Sequence, residues 1–263
     1  MTPVSDEQAL VYLQRYGYFE PLPLCKNKGK KRYACFEGSK PQNKTLEDAI
    51  KDYQKQAGLS ATGKLGDTEK KLMNQPRCGM SDFQRVTDED FMPWKKEKIT
   101  YAFVNYTDNI NREVLKNVMR HAFATWEAVI PRDFEEINEI ELADMKVRFA
   151  IWDHGDRDPF DGNGPILAHA SLDGDLHFDN DEPWRRYANS EDIDVKTIDI
   201  LWAALHEIGH ALGLEHTRKF KSIMHSIYAN SMDKNGRYVN PELTISDIEN
   251  IQDIYGTKTK LSS

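Results

Sequence analysis

His206, Glu207 and His210 stand in the order H-E-x-x-H, and the chain runs on through Gly213 to His216 as x-x-G-x-x-H. On a helix, residues four apart lie one above the other, so His206 and His210 can hold one metal ion between them. Glu207 sits beside that face, near enough to take a proton from a water on the metal. Glycine adopts the left-handed conformation that ends helices cheaply, so Gly213 stops the helix and turns His216 back as a third nitrogen ligand. Three histidines and one open position is the coordination of a catalytic zinc, whereas structural zinc sites are closed by four protein ligands. A buried helix carrying two histidines by chance would explain neither Glu207 nor the third histidine.

Two further stretches carry chemistry. Gln75-Pro76-Arg77-Cys78-Gly79-Met80-Ser81-Asp82 brackets a cysteine with proline and glycine, which forbids helix and favours an extended, exposed thiol. Free cysteine is more often a small buried hydrophobe, but a thiolate is a good zinc ligand, and the open zinc position supplies a partner for Cys78. Arg77 and Asp82 can pair and shape this loop. Between His154 and Glu182 lies a region rich in histidine and aspartate. His154, His169 and His177 with one aspartate of the stretch would complete a closed tetrahedral N/O site. Asp161, Asp179 and Glu182, with backbone carbonyls between glycines, suit calcium, which takes six or more hard oxygens.

These residues need a scaffold, and the pattern along the chain predicts one. Short helices start at Ser5, Thr45 and Thr68, the first two with capping residues, and they bury Ala9, Leu10, Tyr12, Leu13, Ala49, Ile50 and Tyr53. The basic loop Lys26 to Arg32 lies between Cys25 and Cys35, which could close it in an oxidising compartment. Residues 83–96 read as a polar linker. Alternation at Ile99, Tyr101 and Phe103 predicts a strand, and Met145, Val147, Phe149 and Ile151 another. Asp108 to Val129 reads as an amphipathic helix with the stripe Val114, Leu115, Val118, Met119, Ala122 and Trp126, and His121 on the surface. Short strands at Leu167 to Ser171 and Gly174 to Asp179 flank the histidine-rich loop. Thr244, with Asp247 three residues on, caps a last helix that buries Ile248, Ile251 and Ile254 and ends at Gly256.

At 263 residues the chain can hold a small and a medium domain. Its 39% hydrophobic and 30% charged content is that of a soluble globular protein. A net charge of −8 argues against nucleic acid or an anionic membrane as the main partner. No uncharged run approaches the roughly 20 residues of a transmembrane helix, and Met1 to Leu10 lacks the apolar core of a secretory leader. The sequons at Asn43 and Asn105 are compatible with secretion.

The motif H-E-x-x-H-x-x-G-x-x-H followed by Ser222-Ile223-Met224-His225 resembles the metzincins. Thr217 after the last histidine and Pro76-Arg77-Cys78-Gly79 are similar to the matrix metalloproteinases, or matrixins, rather than to branches with an acidic residue at that point. The resemblance covers nearly the whole chain. It implies an α+β fold, with a three-helix, peptidoglycan-binding-like propeptide at 1–82 that ends in a cysteine switch. An activation linker at 83–96 leads to a metalloprotease domain at 97–257, a twisted mixed sheet with three helices, and a tail at 258–263.

It also implies a set of roles. Catalytic zinc lies on His206, His210 and His216, Glu207 is the base, Cys78 is the latent-state ligand, and Met224 lies beneath the metal. A structural zinc takes His154, Asp156, His169 and His177. Calcium takes Asp161, Gly162, Gly164, Ile166, Asp179 and Glu182, with a second calcium at Asp144 and Asp175. Trp202 lines the specificity pocket and makes it shallow. The expected protein is a secreted, extracellular, monomeric endopeptidase of the minimal type without a hemopexin-like domain. It meets protein or peptide substrates and protein inhibitors of the family. Met80-Ser81 stands where relatives carry Val-Pro, the stretch between His169 and His177 is short, and His225 replaces a more usual tyrosine. No basic convertase site lies between Asp82 and Lys98. A reading from another class is a non-catalytic zinc and calcium module that binds extracellular proteins, against which stands the retained base Glu207.

Overall fold

The strand that bears the first apolar alternation, β2 (Lys98–Phe103), lies one place in from an edge of a mixed sheet. The computed structural model describes residues 2–19, 44–83 and 93–258. The proposed Cys25–Cys35 pair, the basic loop between them, sequon Asn43, most of the linker and most of the tail lie outside the described residues. By backbone proximity one unit is built on Met1–Gln75, Ser81–Gln84 and Gly155–Arg157, and the other on Pro76–Met80, Arg85–His154 and Asp158–Ser263.

The first unit holds α1 (Asp6–Arg15), α2 (Leu46–Gln56) and α3 (Asp67–Leu72). Ser5 with Gln8 and Thr45 with Asp48 form reciprocal capping boxes, which satisfy the orphan amides at each helix start. Their inner faces enclose Ala9, Leu13, Tyr16, Tyr18, Ala49 and Tyr53. Buried Gln54 spends its amide on Thr62, Lys64 and Glu69, so its polar group enters the interior fully partnered.

In the second unit β1 (Arg77–Cys78), β2, β3 (Asp133–Glu136), β4 (Met145–Ala150), β5 (Ile166–Ala170) and β6 (Asp175–Asp179) form one sheet in the order β1-β5-β6-β4-β2-β3. Only β5 and β6 pair antiparallel. A separate parallel pair joins β7 (Trp184–Arg185) to β8 (Ile198–Asp199). α4 (Arg112–Glu127), α5 (Ile200–Ala211) and α6 (Ile245–Tyr255) complete the unit.

The buried stripe of α4 is Leu115, Val118, Met119, Ala122, Phe123 and Trp126. Val114, expected on it, is 39% exposed, and Phe123 takes its place. Trp126 Nε1 donates to Leu205 O at 3.0 Å, tying α4 to the helix that carries the motif. β4 stops at Ala150: Ile151 points outward, and Trp152 takes a positive φ of 49° that breaks the strand. In α6, Ile251 and Tyr255 are buried while Ile248 and Ile254 are only partly so, because Asp247 occupies the innermost first turn. Among the described residues no helix is long and apolar enough to cross a membrane.

Candidate metal centres and active site

α5 is buried along its whole length, and its apolar residues fix its rotation against α4 and the sheet. That rotation turns His206 and His210 toward a common point, with Nε2 atoms 3.0 Å apart. Gly213 adopts φ 99° after the helix ends, and the reversed chain brings His216 Nε2 to 3.2 Å from His206 Nε2. His206 Nδ1–H donates to Ile223 O and His210 Nδ1–H to Leu214 O, each at 2.7 Å. A carbonyl can only accept, so both rings present the Nε2 lone pair to the cluster. Burial, then the neighbouring His210 and His216, push the His206 pKa well down. Neutral lone pairs converging in a dry site are the donor set of a soft-to-borderline divalent cation, and zinc fits.

Cys78 Sγ belongs to the same group, its ligand atoms all within 4.8 Å of one another. The Glu207 carboxylate lies close enough to the thiol to act on it electrostatically, and its buried Oε2 has no hydrogen-bond partner. Burial raises Glu207 to about 8, opposed by the Cys78 thiol. Burial raises Cys78 as well, with the Glu207 charge adding to it. Met224 is buried beside α5, and a Cβ at Gly209 would run into its sulfur, so only glycine fits at that turn of the helix. Trp202 stacks on His206 with ring centroids 4.9 Å apart, and Tyr228 meets the indole edge-on at 5.1 Å.

The segment around Cys78 lies between two backbone edges. Arg77 N–H donates to Pro165 O at 2.6 Å and Gly79 N–H to Ala168 O at 2.7 Å, on the β5 side. On the other side Cys78 N–H donates to Ser226 O at 2.9 Å, and Tyr228 N–H to Pro76 O at 2.8 Å. Cys78 was expected to be exposed; it is 1% exposed, because both edges enclose it. The buried Arg77 guanidinium donates through Nε to Cys78 O at 3.0 Å and through a terminal nitrogen to Met80 O at 3.4 Å. Asp82 accepts from the Tyr18 hydroxyl.

A second cluster follows from strand register. β5 and β6 place His169 directly opposite His177, with His169 Nε2 3.2 Å from His177 Nδ1. His154 Nε2 reaches His169 Nε2 at 3.3 Å, and its Nδ1–H is directed to Trp152 O at 2.8 Å. With the Asp156 carboxylate these ligand atoms lie within 4.8 Å of one another. Three imidazoles and one carboxylate suit a closed zinc site.

Nearby, Asp161 Oδ1 accepts from Ile166 N–H at 3.2 Å, and Glu182 Oε1 from Gly164 N–H at 2.9 Å. Asp179 is fully buried and its Oδ2 has no partner. Asp179 is raised to about 6 and Glu182 to about 8, in each case chiefly by burial, with the charges of Asp161 and Asp181 adding to it. Carboxyls that raise one another in this way, with one orphaned buried oxygen among them, are the chemistry a hard cation uses. Asp181 is the member the sequence did not single out. Asp144 is engaged differently: Thr100 N–H and Oγ1 donate to it at 3.0 and 2.9 Å, and the Lys96 ammonium pairs with it. Asp175 donates its N–H to Ser171 Oγ at 3.2 Å.

Sequence reasoning also missed the wider part of Asp247. Its buried carboxylate caps α6 and reaches back to Ser222 and to Ile223 N–H at 3.1 Å. Asp199, the N-cap of α5, was missed too; it is bonded to Tyr238.

A mixed sheet with three helices and an H-E-x-x-H helix facing a methionine turn defines a class, and the matrixin family model matches residues 93–256. The chain belongs to the matrixin family. It is 34% identical to Matrix metalloproteinase-C of Caenorhabditis elegans over 269 residues, covering 99% of this chain and 45% of that protein. Mouse Stromelysin-1 is 37% identical over 226 residues, covering 84% and 45%. Metalloendoproteinase 1-MMP of Arabidopsis thaliana is 34% identical over 268 residues, covering 95% and 68%. The chain thus spans about half the length of the first two relatives.

Proposed function

We propose that this chain is a latent zinc endopeptidase acting on extracellular proteins. The observation that carries the reading is the convergence of His206, His210 and His216, with Cys78 Sγ in the same group of ligand atoms. Zinc held by the three histidines supplies Lewis acidity toward a water and toward the scissile carbonyl. Glu207 takes the water proton on its carboxylate and returns it to the leaving amine. In the latent state the Cys78 thiol blocks both the fourth ligand position and the base. Once residues 76–79 leave, the carbonyls of Pro165, Ala168 and Ser226 and the N–H of Tyr228 become available to pair with an extended substrate. Trp202 and Tyr228 fill space beside His206, so a small substrate side chain is favoured there.

The test is cleavage of a quenched fluorescent peptide by the full chain before and after a thiol-modifying reagent. Hydrolysis that appears only after modification is the expected result. Equal hydrolysis before and after would remove Cys78 from the account and leave the protease.

The second zinc is assigned to His154, Asp156, His169 and His177. Calcium is assigned to Asp161, Asp179 and Glu182, with the backbone of Gly162, Gly164 and Ile166 and added charge from Asp181. Millimolar extracellular calcium suits such a loop, which supports an extracellular setting. The assignment has a pH signature. Asp179 at about 6 and Glu182 at about 8 lie above ordinary carboxyl values, so without a cation the folded chain binds more protons than the unfolded one. Their contribution to stability is therefore present at low pH and is lost as pH rises through about 6 and then about 8. With calcium removed by a selective chelator, Tm should fall between about pH 5 and about pH 8.5, and added calcium should close the gap. A calcium effect of equal size at both ends would overturn the assignment.

A further inference from the structure

The turn that joins the last histidine of the motif to the methionine segment reads Arg218-Lys219-Phe220-Lys221. All four residues are exposed, Phe220 by 66%. Among the described residues none of the three cations enters an ion pair. The turn is nonetheless held at both ends. Thr217 N–H donates to Met224 O at 3.0 Å, Ser222 N–H to Lys219 O at 2.9 Å, and Ser222 Oγ donates to buried Asp247. Phe220 rests edge-on against His225 at 5.2 Å. A fixed basic spot therefore begins two residues beyond His216, on a chain whose net charge is −8, with exposed Glu215 as the acid next to it in sequence.

We propose that this turn determines specificity by selecting acidic side chains in the polypeptide substrate, close to the scissile bond; the inference rests on the endopeptidase reading above. Two residues of chain span at most about 7 Å, so Arg218 stays near the histidine cluster. Exposed charges are screened beyond about 8 Å at physiological salt, and an extended substrate advances about 3.3 Å per residue. The turn thus reads only a few substrate positions. An acidic residue there meets exposed positive charge on a chain that is negative overall.

The experiment uses the full chain after thiol modification and three quenched peptides with one core, carrying Glu, Lys or a neutral residue at flanking positions scanned on both sides. The parent is expected to favour Glu over Lys in kcat/KM by about three- to tenfold at the recognised position, the scale of one or two exposed ion pairs. That ratio should shrink in high salt. In the triple variant Arg218→Glu, Lys219→Glu, Lys221→Glu it should reverse while the neutral peptide is still cleaved. If the triple variant fails on the neutral peptide, the milder pair Arg218→Gln and Lys221→Gln takes its place and should flatten the ratio. A parent ratio near one at every position, or a ratio unmoved by the charge changes, overturns the proposal. Failure of the parent to cleave any of the peptides would instead remove the endopeptidase reading, and this proposal with it.

Discussion

Glu207→Gln is expected to lower kcat by about 10²- to 10⁴-fold, the range for removing a positioned general base. The substitution keeps the side chain's size and one acceptor oxygen but removes the group that can hold a proton. Glu207 lies on α5 between two of the three converging histidines, and its buried Oε2 has no hydrogen-bond partner. A buried acceptor without a partner costs stability unless function uses it. The paired measurement is zinc content, which should be unchanged because His206, His210 and His216 keep their Nε2 geometry. Loss of activity together with loss of zinc would point to a collapsed site. Full activity with Gln in place would sink the assignment of the base.

The second large effect is expected at Asp247, far from the motif in sequence. Its carboxylate accepts from Ser222 Oγ, from Ile223 N–H at 3.1 Å, and from Thr244 N–H at 2.8 Å and Oγ1 at 2.7 Å. Asp247→Ala leaves the buried Ser222 hydroxyl and Ile223 N–H without this acceptor and uncaps α6 at the partly exposed Thr244, and each unsatisfied buried group costs about 1–3 kcal/mol. The expected loss of unfolding free energy is about 3–5 kcal/mol, a large share of what holds a domain together. The same change loosens Ile223, whose carbonyl orients the His206 ring at 2.7 Å. Zinc affinity should fall by about 10- to 100-fold, the usual cost of disturbing a ligand's outer partner. A denaturant midpoint and a chelator competition measure the two effects separately. An alanine variant as stable as the parent would show that the methionine turn is held by packing alone.

The parts of this molecule legible in the sequence are those with a local cause. The capping boxes at Ser5, Thr45 and Thr244 involve residues three apart, and each stands where the sequence puts it. The alternation at Ile99, Tyr101 and Phe103 likewise lies inside β2. The convergence of His206 and His210 follows from helix spacing alone.

What was not legible depends on partners distant in the chain. β3 is Asp-Phe-Glu-Glu, a poor strand former, and it exists because β2 offers a parallel edge. β1 is a strand only because β5 lies parallel to it and the carbonyls of Pro165 and Ser226 accept its amides. Asp247 reads as a helix cap, and nothing local announces that it also holds Ser222 and Ile223. Val114 looks as apolar as its neighbours on α4, but the stripe turns just past it to meet α5 at Trp126.

The pairing of His169 with His177 across β5 and β6 has a consequence for how the sheet assembles. Side chains alternate faces along a strand, so a hairpin that closes one residue out of step sends one partner's histidine to the opposite side. The three rings then cannot meet, and the loop that bears His154 loses its anchor at His169. The histidine cluster thus acts as a proofreader of strand alignment: only the correctly zipped hairpin completes it, and the same hairpin sets β5 in register beside β1.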